Sequence, residues 1–374
     1  MGEILFFFAK YFDYNVEWAI KIICSVSLFS VCAFFVRAFL KKGYTLYLLP
    51  LCFFCSGPLM YDAWIKKDYL MLLFFIAVTL IYTQKKAPLF LKFLFINLLS
   101  VFIILTHEVF ALFTLPILFF LFLHDFRNEQ KCIFTSIVQS LLVLLPSALA
   151  FIIVILNSGD MNVAQAIWNS WHIISGLEPT ELTGNSIEAI GWDSLWTVKF
   201  HLKLNFLVED NYILSIWYWI ITFPLVYYIT MNALLVFNTH SNIYTPKDRN
   251  ILAAIWIFQF ICLIPMFTIL SIDYVRIFFY LSTTTFGIFL IVPKEKIQTF
   301  LPSLFYKAAD KINTCFDKLF TPSKSSMAIL MLIVGVSFST FSIRTIVMST
   351  MVYRILLLFS QPTIMIKDII MSLF

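Results

Sequence analysis

The chain is a succession of long apolar runs separated by short polar connections. Runs of about 17–25 residues match the length that an α-helix needs to cross the hydrocarbon core of a bilayer. The predicted spans are 17–39, 44–60, 69–83, 88–106, 109–124, 132–157, 211–236, 251–270, 274–293 and 327–348. Segment 349–374 is an eleventh span, a re-entrant element or an interfacial helix. The pattern predicts an all-α polytopic membrane protein with about ten or eleven transmembrane helices.

Composition agrees with this prediction. Hydrophobic residues make up 61% of the chain, charged residues make up 13%, and 43 residues are phenylalanine. A mean hydropathy of +0.91 excludes a soluble domain that exposes its whole surface to water. The chain, 1–374, is therefore predicted to be a single integral membrane domain.

Lysine and arginine are concentrated on alternate connections. These connections carry Arg37, Lys41, Lys42, Lys85, Lys86, Arg127, Lys131, Lys247, Arg249, Lys294 and Lys296. Because cytoplasmic loops are enriched in positive charge, we assign them to the cytoplasm and place the N-terminus and the long 158–210 loop outside. Orientation also accounts for the net charge of +5. With no basic stripe or motif, we expect no nucleic-acid partner.

Two segments outside the spans have distinctive sequences. Residues 158–210 are rich in tryptophan and carboxylates, include Trp171 and His172, and are expected to form two short helices over the outer face. Aromatic rings beside acids suit sugar binding, but an aromatic belt at the membrane interface explains them equally well. Within 297–326, an apolar stripe at helical spacing predicts an amphipathic helix on the cytoplasmic membrane surface, followed by a linker.

Charged residues recur at three outer connections that have almost no polar spacer. They are Asp62, Lys66, Lys67 and Asp68 in the first, His107 and Glu108 in the second, and Asp273 and Arg276 in the third. Ionisable groups at membrane depth are costly, so they are candidates for a functional site. The alternative is that they are interface anchors, or pairs that fix helix packing.

The adjacent histidine and glutamate do not indicate a metal site. In the zinc motif HExxH the second histidine would lie at position 111, which is Ala111. No other cluster of histidine and cysteine has ligand spacing, and no nucleotide-binding motif occurs. We therefore expect neither a metal nor a cofactor.

The three charged motifs resemble those of bacterial envelope-polysaccharide proteins. Lys66-Lys67-Asp68 at the start of a span, His107-Glu108 at a hairpin and Asp273-x-x-Arg276 at a later one look like O-antigen and capsule repeat-unit polymerases (Wzy-like). The alternative is a more distant resemblance to GT-C-like transferases. In those polymerases the long outer loop lies late and supplies arginines, whereas here it follows the sixth span and contains no arginine.

This resemblance implies an enzyme of the bacterial inner membrane. The enzyme would be a glycosyltransferase that joins oligosaccharide repeat units carried on polyprenyl diphosphate at the periplasmic face. Its partners would be that lipid-linked substrate, membrane lipid and other proteins of polysaccharide assembly. A divalent cation at the diphosphate has no support in the sequence.

In this hypothesis three residues serve proton transfer. Glu108 or Asp62 is the base that deprotonates the acceptor hydroxyl, and His107 is its orienter or an alternate base.

The remaining candidates bind substrate. They are Lys66, Lys67, Asp68, Asp273, Arg276, Trp171 and His172. Lysine and arginine would hold the donor diphosphate and stabilise the charge of the leaving group. Asp273 would orient Arg276, because residues three apart share a helix face, and Asp68 would orient Lys67.

Two other classes of function stay open. A transporter or flippase of lipid-linked sugars would use the same charges along a translocation path, but it predicts charges throughout the membrane depth and helices broken by glycine or proline. The chain has only 9 glycines. A non-catalytic subunit of a polysaccharide assembly complex would use the amphipathic helix for docking.

Overall fold

The computed structural model is a bundle of α-helices. It describes residues 7, 10–11, 16–49, 67–129, 132–157, 160–175, 187–206, 216–236, 244–271 and 274–334. The longer helices are α1 (Val16–Lys41), α2 (Asp68–Thr83), α3 (Leu89–Thr106), α4 (Val109–Glu129), α5 (Ile133–Leu156), α6 (Met161–Ser175), α7 (Ser194–Phe206), α8 (Ile216–Val236), α9 (Pro246–Pro265), α10 (Tyr274–Ile291), α11 (Ser303–Leu319) and α12 (Lys324–Val334), and a single helical turn, Lys294–Ile297, follows α10. These ranges contain no extended sheet, which confirms the all-α prediction.

Several of these helices are suited to crossing a membrane. Among the described residues, α1, α3, α4, α5 and α9 with its continuation are long and apolar enough to span a bilayer. Shorter apolar helices are Asp68–Thr83, Phe223–Val236 and Arg276–Ile291. The chain is therefore a multi-pass membrane protein. The predicted spans 44–60 and 327–348 and the segment 349–374 lie mostly or wholly outside the described residues.

Helix α2 lies at the centre of the bundle, where it packs against α1, α3, α4 and α10. Its 16 residues correspond to a length of about 24 Å, less than the roughly 30 Å of a hydrocarbon core. Asp68, its first residue, is fully buried within the bundle. We call the two ends of the bundle the Asp68 end and the Thr83 end. The basic connections that the sequence analysis predicts to be cytoplasmic include those at the Thr83 end.

Aromatic rings fill the space between α2, α4 and α10. Phe113 stacks on Tyr280 with ring centroids 5.1 Å apart, and Phe75 meets Phe113 edge to face at 6.0 Å. Tyr69 contacts Phe279 at 5.4 Å. Such pairs contribute about 0.5–1.5 kcal/mol beyond the burial of their area. The packing fixes α10 against α2, and so fixes the polar residues that these helices carry at the Asp68 end.

Helix α9 begins earlier than the predicted span 251–270. The Thr245 hydroxyl accepts a hydrogen bond from the Asp248 backbone N–H at 3.2 Å, and Asp248 Oδ2 accepts one from the Thr245 N–H at 2.9 Å. Pro246 occupies the first turn, where its missing N–H costs nothing. Hydropathy does not register a polar capping box, so the apolar pattern alone placed the start too late.

Helix α11 confirms a helix in the amphipathic segment but changes the role of its polar face. Asp310 and Asp317, which the sequence pattern places on the face away from the membrane, bind α9. Asn250 Nδ2 donates to Asp310 Oδ1 at 2.7 Å, and Arg249 Nη1 donates to Asp317 Oδ1 at 2.8 Å. An exposed apolar stripe remains, made of Leu304, Ile312 and Leu319. The docked side of α11 therefore carries apolar residues as well as acids, since Ala309 is buried and Phe305 packs on Phe258 of α9.

Asn313 joins α11 to two other helices. It accepts from the Tyr227 hydroxyl at 2.8 Å and donates to Asn250 Oδ1 at 2.6 Å. Asn313→Ala should weaken the docking of α11 by about 1–3 kcal/mol, because buried polar partners lose their hydrogen bonds. Hydrogen exchange across 303–319 should rise in this variant and stay unchanged in Thr314→Ala, the exposed neighbouring position. Equal exchange in both variants would contradict this prediction.

The described part of the long loop contains two α-helices, as predicted, and a short 3-10 turn at Glu188–Gly191. Asp160 caps α6 by accepting the Val163 N–H at 2.8 Å, and Asp193 caps α7 by accepting the Trp196 N–H at 3.1 Å. Helix α7 packs against Met266–Leu270, the π-helical turn that continues α9. This contact places α7 at the Asp68 end, beside the start of α10.

Candidate functional site

The Asp68 end brings together charged residues from three separate connections. Lys67 immediately precedes α2, His107 and Glu108 form the turn between α3 and α4, and Arg276 lies in the first turn of α10. We call these residues, with Asp68, the charged cluster. In the structure these five residues, which come from three connections far apart in the chain, lie close enough to interact.

Asp68 is the most deeply buried residue of the charged cluster. Its side chain is 0% exposed, and its Oδ1 atom accepts hydrogen bonds from Arg276 Nε at 3.0 Å and Arg276 Nη2 at 2.7 Å. A carboxylate and a guanidinium joined through two N–H groups have a fixed relative geometry. Asp68 therefore orients Arg276 through hydrogen bonds, whereas we had expected Asp68 to orient Lys67.

Tyr280 is a member of this site that sequence reasoning missed. Its hydroxyl donates to Asp68 Oδ1, and its ring is fully buried. The available signal was its position four residues after Arg276, which puts both side chains on the same face of α10. The hydroxyl and the guanidinium thus share one carboxylate oxygen.

The turn between α3 and α4 sets the positions of His107 and Glu108. The His107 N–H donates to the Ile103 carbonyl at 2.8 Å, and the Glu108 carbonyl accepts from the Ala111 N–H at 2.9 Å, so both residues belong to the adjoining helices' hydrogen-bond pattern. His107 Nδ1 lies 3.3 Å from Glu108 Oε2. The His107 side chain is 16% exposed and that of Glu108 is 50% exposed. Both side chains are therefore more accessible than that of the fully buried Asp68.

Electrostatics links the turn to the other members of the cluster. Burial disfavours the charged form of Glu108, but the His107 ring and the Lys67 charge outweigh it and lower the pKa of Glu108 to about 2. Glu108 is therefore ionised at neutral pH. Burial, together with the nearby charges of Lys67 and Arg276, lowers the pKa of His107, so its ring is neutral at that pH. Lys67 itself is exposed, and its charge interacts electrostatically with that of Glu108.

Five predicted site residues cannot be placed in this cluster. Asp62, Lys66 and Asp273 lie outside the described residues. Trp171 and His172 lie on α6, whose backbone at these positions is described although their side chains are not. Within the ranges that the structure describes, no group of three or more His, Cys, Asp and Glu side chains could hold a metal ion.

The tryptophans of α7 and the turn before it pack on one another. Trp192 and Trp196 have centroids 4.5 Å apart, and Trp196 stacks on Phe200 at 4.9 Å with an angle of 10° between the rings. A sugar would need a free ring face for stacking. One face of Trp196 is already covered by Phe200. These stacked rings therefore serve mainly to pack α7 and the turn before it.

Comparisons with protein-family models, with curated proteins and with solved structures give no match for this chain. The fold defines a multi-pass helical membrane protein, and a functional assignment has to come from the chemistry of the charged cluster.

Proposed function

We propose that the chain is a glycosyltransferase that polymerises oligosaccharide repeat units carried on polyprenyl diphosphate. The observation that carries this proposal is the convergence of Lys67, Asp68, His107, Glu108 and Arg276 at one end of the bundle. In the proposed orientation this end faces the periplasm of a bacterial inner membrane, as a Wzy-like polymerase requires. No nucleotide is available there, so the donor sugar arrives already activated as a diphosphate.

The proposed reaction is a single displacement at the anomeric carbon. The oxygen of an acceptor hydroxyl forms a bond to the anomeric carbon of the donor glycan while the bond from that carbon to the diphosphate oxygen breaks. The hydroxyl proton passes to a base on the protein, and polyprenyl diphosphate leaves with the electron pair. The enzyme must therefore supply one base and positive charge beside the leaving group.

The contact between His107 and Glu108 supports His107 as the base. With Nδ1 donating to Glu108 Oε2 across 3.3 Å, the second ring nitrogen is left to accept a proton. A carboxylate with a pKa of about 2 is a weak base at neutral pH, but it is well suited to orienting a histidine and stabilising its charged form. Glu108 thus takes the orienting role and His107 that of the base, which the sequence hypothesis gave as the alternate assignment.

The leaving diphosphate is assigned to Lys67 and Arg276. Lys67 is exposed, so a lipid-linked anion has access to its ammonium group. Arg276 is held in place by Asp68 and Tyr280 and its side chain is 24% exposed, which presents a pre-oriented guanidinium to the same anion. Pre-oriented donors stabilise developing charge without reorganisation during the reaction.

Lys67→Ala should weaken donor binding while leaving the chemical step nearly intact. A charged hydrogen bond contributes about 1.5–3 kcal/mol, so the apparent KM for the lipid-linked donor should rise about tenfold or more. Assays in membranes with purified donor measure this change. Lys86→Ala, which removes an exposed lysine at the Thr83 end, is the matched control. An unchanged KM in Lys67→Ala would contradict its assignment.

Surface polysaccharide from a deletion strain tests the proposed function itself. Gel electrophoresis should show single repeat units in place of long polymer, with full length restored by the wild-type gene. Loss of all exported glycan would instead indicate a transporter or flippase. Polymer of altered length would indicate a non-catalytic assembly subunit. Only the first pattern agrees with a polymerase.

A further inference from the structure

A polar cleft of about 570 Å³ opens at the Thr83 end of the bundle, opposite the charged cluster. The end of α2, the start of α3, the last turns of α4 and the turn after α10 line it. Cavities of about 300–1,000 Å³ commonly bind small ligands. We call it the lysine cleft, because Lys85, Lys92 and Lys296 all line it.

One wall of the lysine cleft is a closed hydrogen-bonded group. The Tyr82 hydroxyl donates to Asp125 Oδ2 at 2.7 Å, and Lys296 Nζ lies 2.5 Å from Asp125 Oδ1 and 2.7 Å from the Tyr82 oxygen. Both carboxylate oxygens of Asp125 are thus engaged, and its charge is matched by Lys296. This wall is preformed, and Asp125 does not neutralise any other lysine of the cleft.

The two other lysines of the cleft are not paired with a carboxylate of the described residues. In the part of the chain that the structure describes, neither Lys85 nor Lys92 forms an ion pair; Lys92 Nζ only approaches the Tyr82 carbonyl, at 3.5 Å. Glu295, the second carboxylate on the lining, is exposed. The lining therefore carries an excess of positive charge.

Neutral polar side chains complete the lining. Thr299 Oγ1 lies 3.0 Å from His124 Nε2, and Asn128 Nδ2 lies 3.4 Å from His124 Nδ1. Hydroxyl and amide groups beside two lysines are the donors that bind phosphate oxygens. The described residues offer no cluster with the donor set of a metal site. The chemistry of the cleft therefore favours an anion over a cation.

We propose that the lysine cleft binds a phosphate group through Lys85 and Lys92. Either a soluble phosphate or the head group of an anionic phospholipid supplies that chemistry. The position of the cleft brings both within reach: the adjoining Leu89 and Phe90 at the start of α3 are exposed apolar side chains suited to lipid, and the positive-inside rule places this end at the cytoplasmic leaflet. The site is separate from the proposed active site and does not depend on it.

Thermal unfolding of the purified full-length protein in neutral detergent tests the proposal. A ligand that binds only the folded state raises the melting temperature in a saturable way. The two probes are inorganic phosphate and short-chain phosphatidylglycerol, with phosphatidylcholine of the same chain length as the neutral comparison. The wild-type protein should be stabilised by at least one probe and not by phosphatidylcholine. Phosphate alone at saturation identifies a soluble ligand, and phosphatidylglycerol alone identifies a lipid.

The variant Lys85→Gln/Lys92→Gln should lose about tenfold or more in apparent affinity for the probe that binds, because two charged contacts are removed. Its melting temperature without probe should equal that of the wild type, which shows that it folds. Lys41→Gln/Lys42→Gln removes two lysines from the end of α1, outside the cleft, and should bind normally. No stabilisation of the wild type, normal binding by the cleft variant, or an equal loss in the control would each overturn the proposal.

Discussion

Replacing Asp68 with alanine is expected to destabilise the folded protein by about 3 kcal/mol, because one partner of a buried ion pair is lost. Asp68 is fully buried, and its Oδ1 atom accepts hydrogen bonds from both Arg276 and Tyr280. The variant leaves the guanidinium and the hydroxyl without this acceptor. The expected cost lies at the lower end for such pairs, since Arg276 is 24% exposed and retains some contact with solvent.

Unfolding in mixed micelles of increasing SDS content measures this change. Asp68→Asn keeps an acceptor oxygen but not the charge, so its loss should be smaller than that of alanine. The triple variant Asp68→Leu/Arg276→Met/Tyr280→Phe replaces the whole polar group by apolar side chains and should recover most of the stability, as other buried pairs do. It should nevertheless lack polymer synthesis. An Asp68→Ala protein as stable as the wild type would show that the pair contributes little.

The helices of this protein follow closely from its apolar pattern. Predicted spans 69–83, 88–106 and 109–124 agree with α2, α3 and α4 within a few residues, except that α4 continues to Glu129. Hydropathy marks where a chain leaves hydrocarbon, and a helix can continue beyond that point. The same limit explains α9, whose start is set by a capping box of polar residues.

Part of the candidate site could also be predicted from the sequence. Ionisable residues in hairpins without a polar spacer identified Asp68, His107, Glu108 and Arg276 as candidates before any coordinates. The contacts between these residues could not be predicted. Asp68 and Arg276 are separated by 208 positions in the chain, and a sequence pattern reports only contacts between near neighbours. We therefore expected Asp273 to orient Arg276; that residue lies outside the described part of the chain, and the pairing with Asp68 was not predicted.

The charged cluster has a buried part, which holds Arg276 in place, and a more accessible part, which is proposed to contact the substrate. Asp68 and Tyr280 are buried and fix Arg276 from below, while His107, Glu108 and Lys67 lie nearer the surface. Removing a supporting residue should therefore lower stability and activity together, whereas removing a surface residue should lower activity alone.

His107→Ala should reduce the rate of repeat-unit transfer by about 10²–10⁴-fold, the usual contribution of a positioned general base. The His107 side chain is 16% exposed and lies in a turn, so the folded protein should accumulate normally. Transfer is measured in membranes from the deletion strain, with lipid-linked repeat unit as both donor and acceptor. Glu129→Gln, at the other end of α4, removes an exposed carboxylate as a control and should keep full activity.

The pH dependence distinguishes the base from its orienting partner. Only the neutral ring accepts a proton, and burial lowers the pKa of His107 from its ordinary 6.5, so wild-type activity should fall only below that pH. Glu108 raises the pKa of His107 through its hydrogen bond and charge. Glu108→Gln should therefore shift this fall to lower pH while reducing the maximal rate. If Glu108→Gln abolished transfer and His107→Ala retained it, Glu108 would itself take the proton.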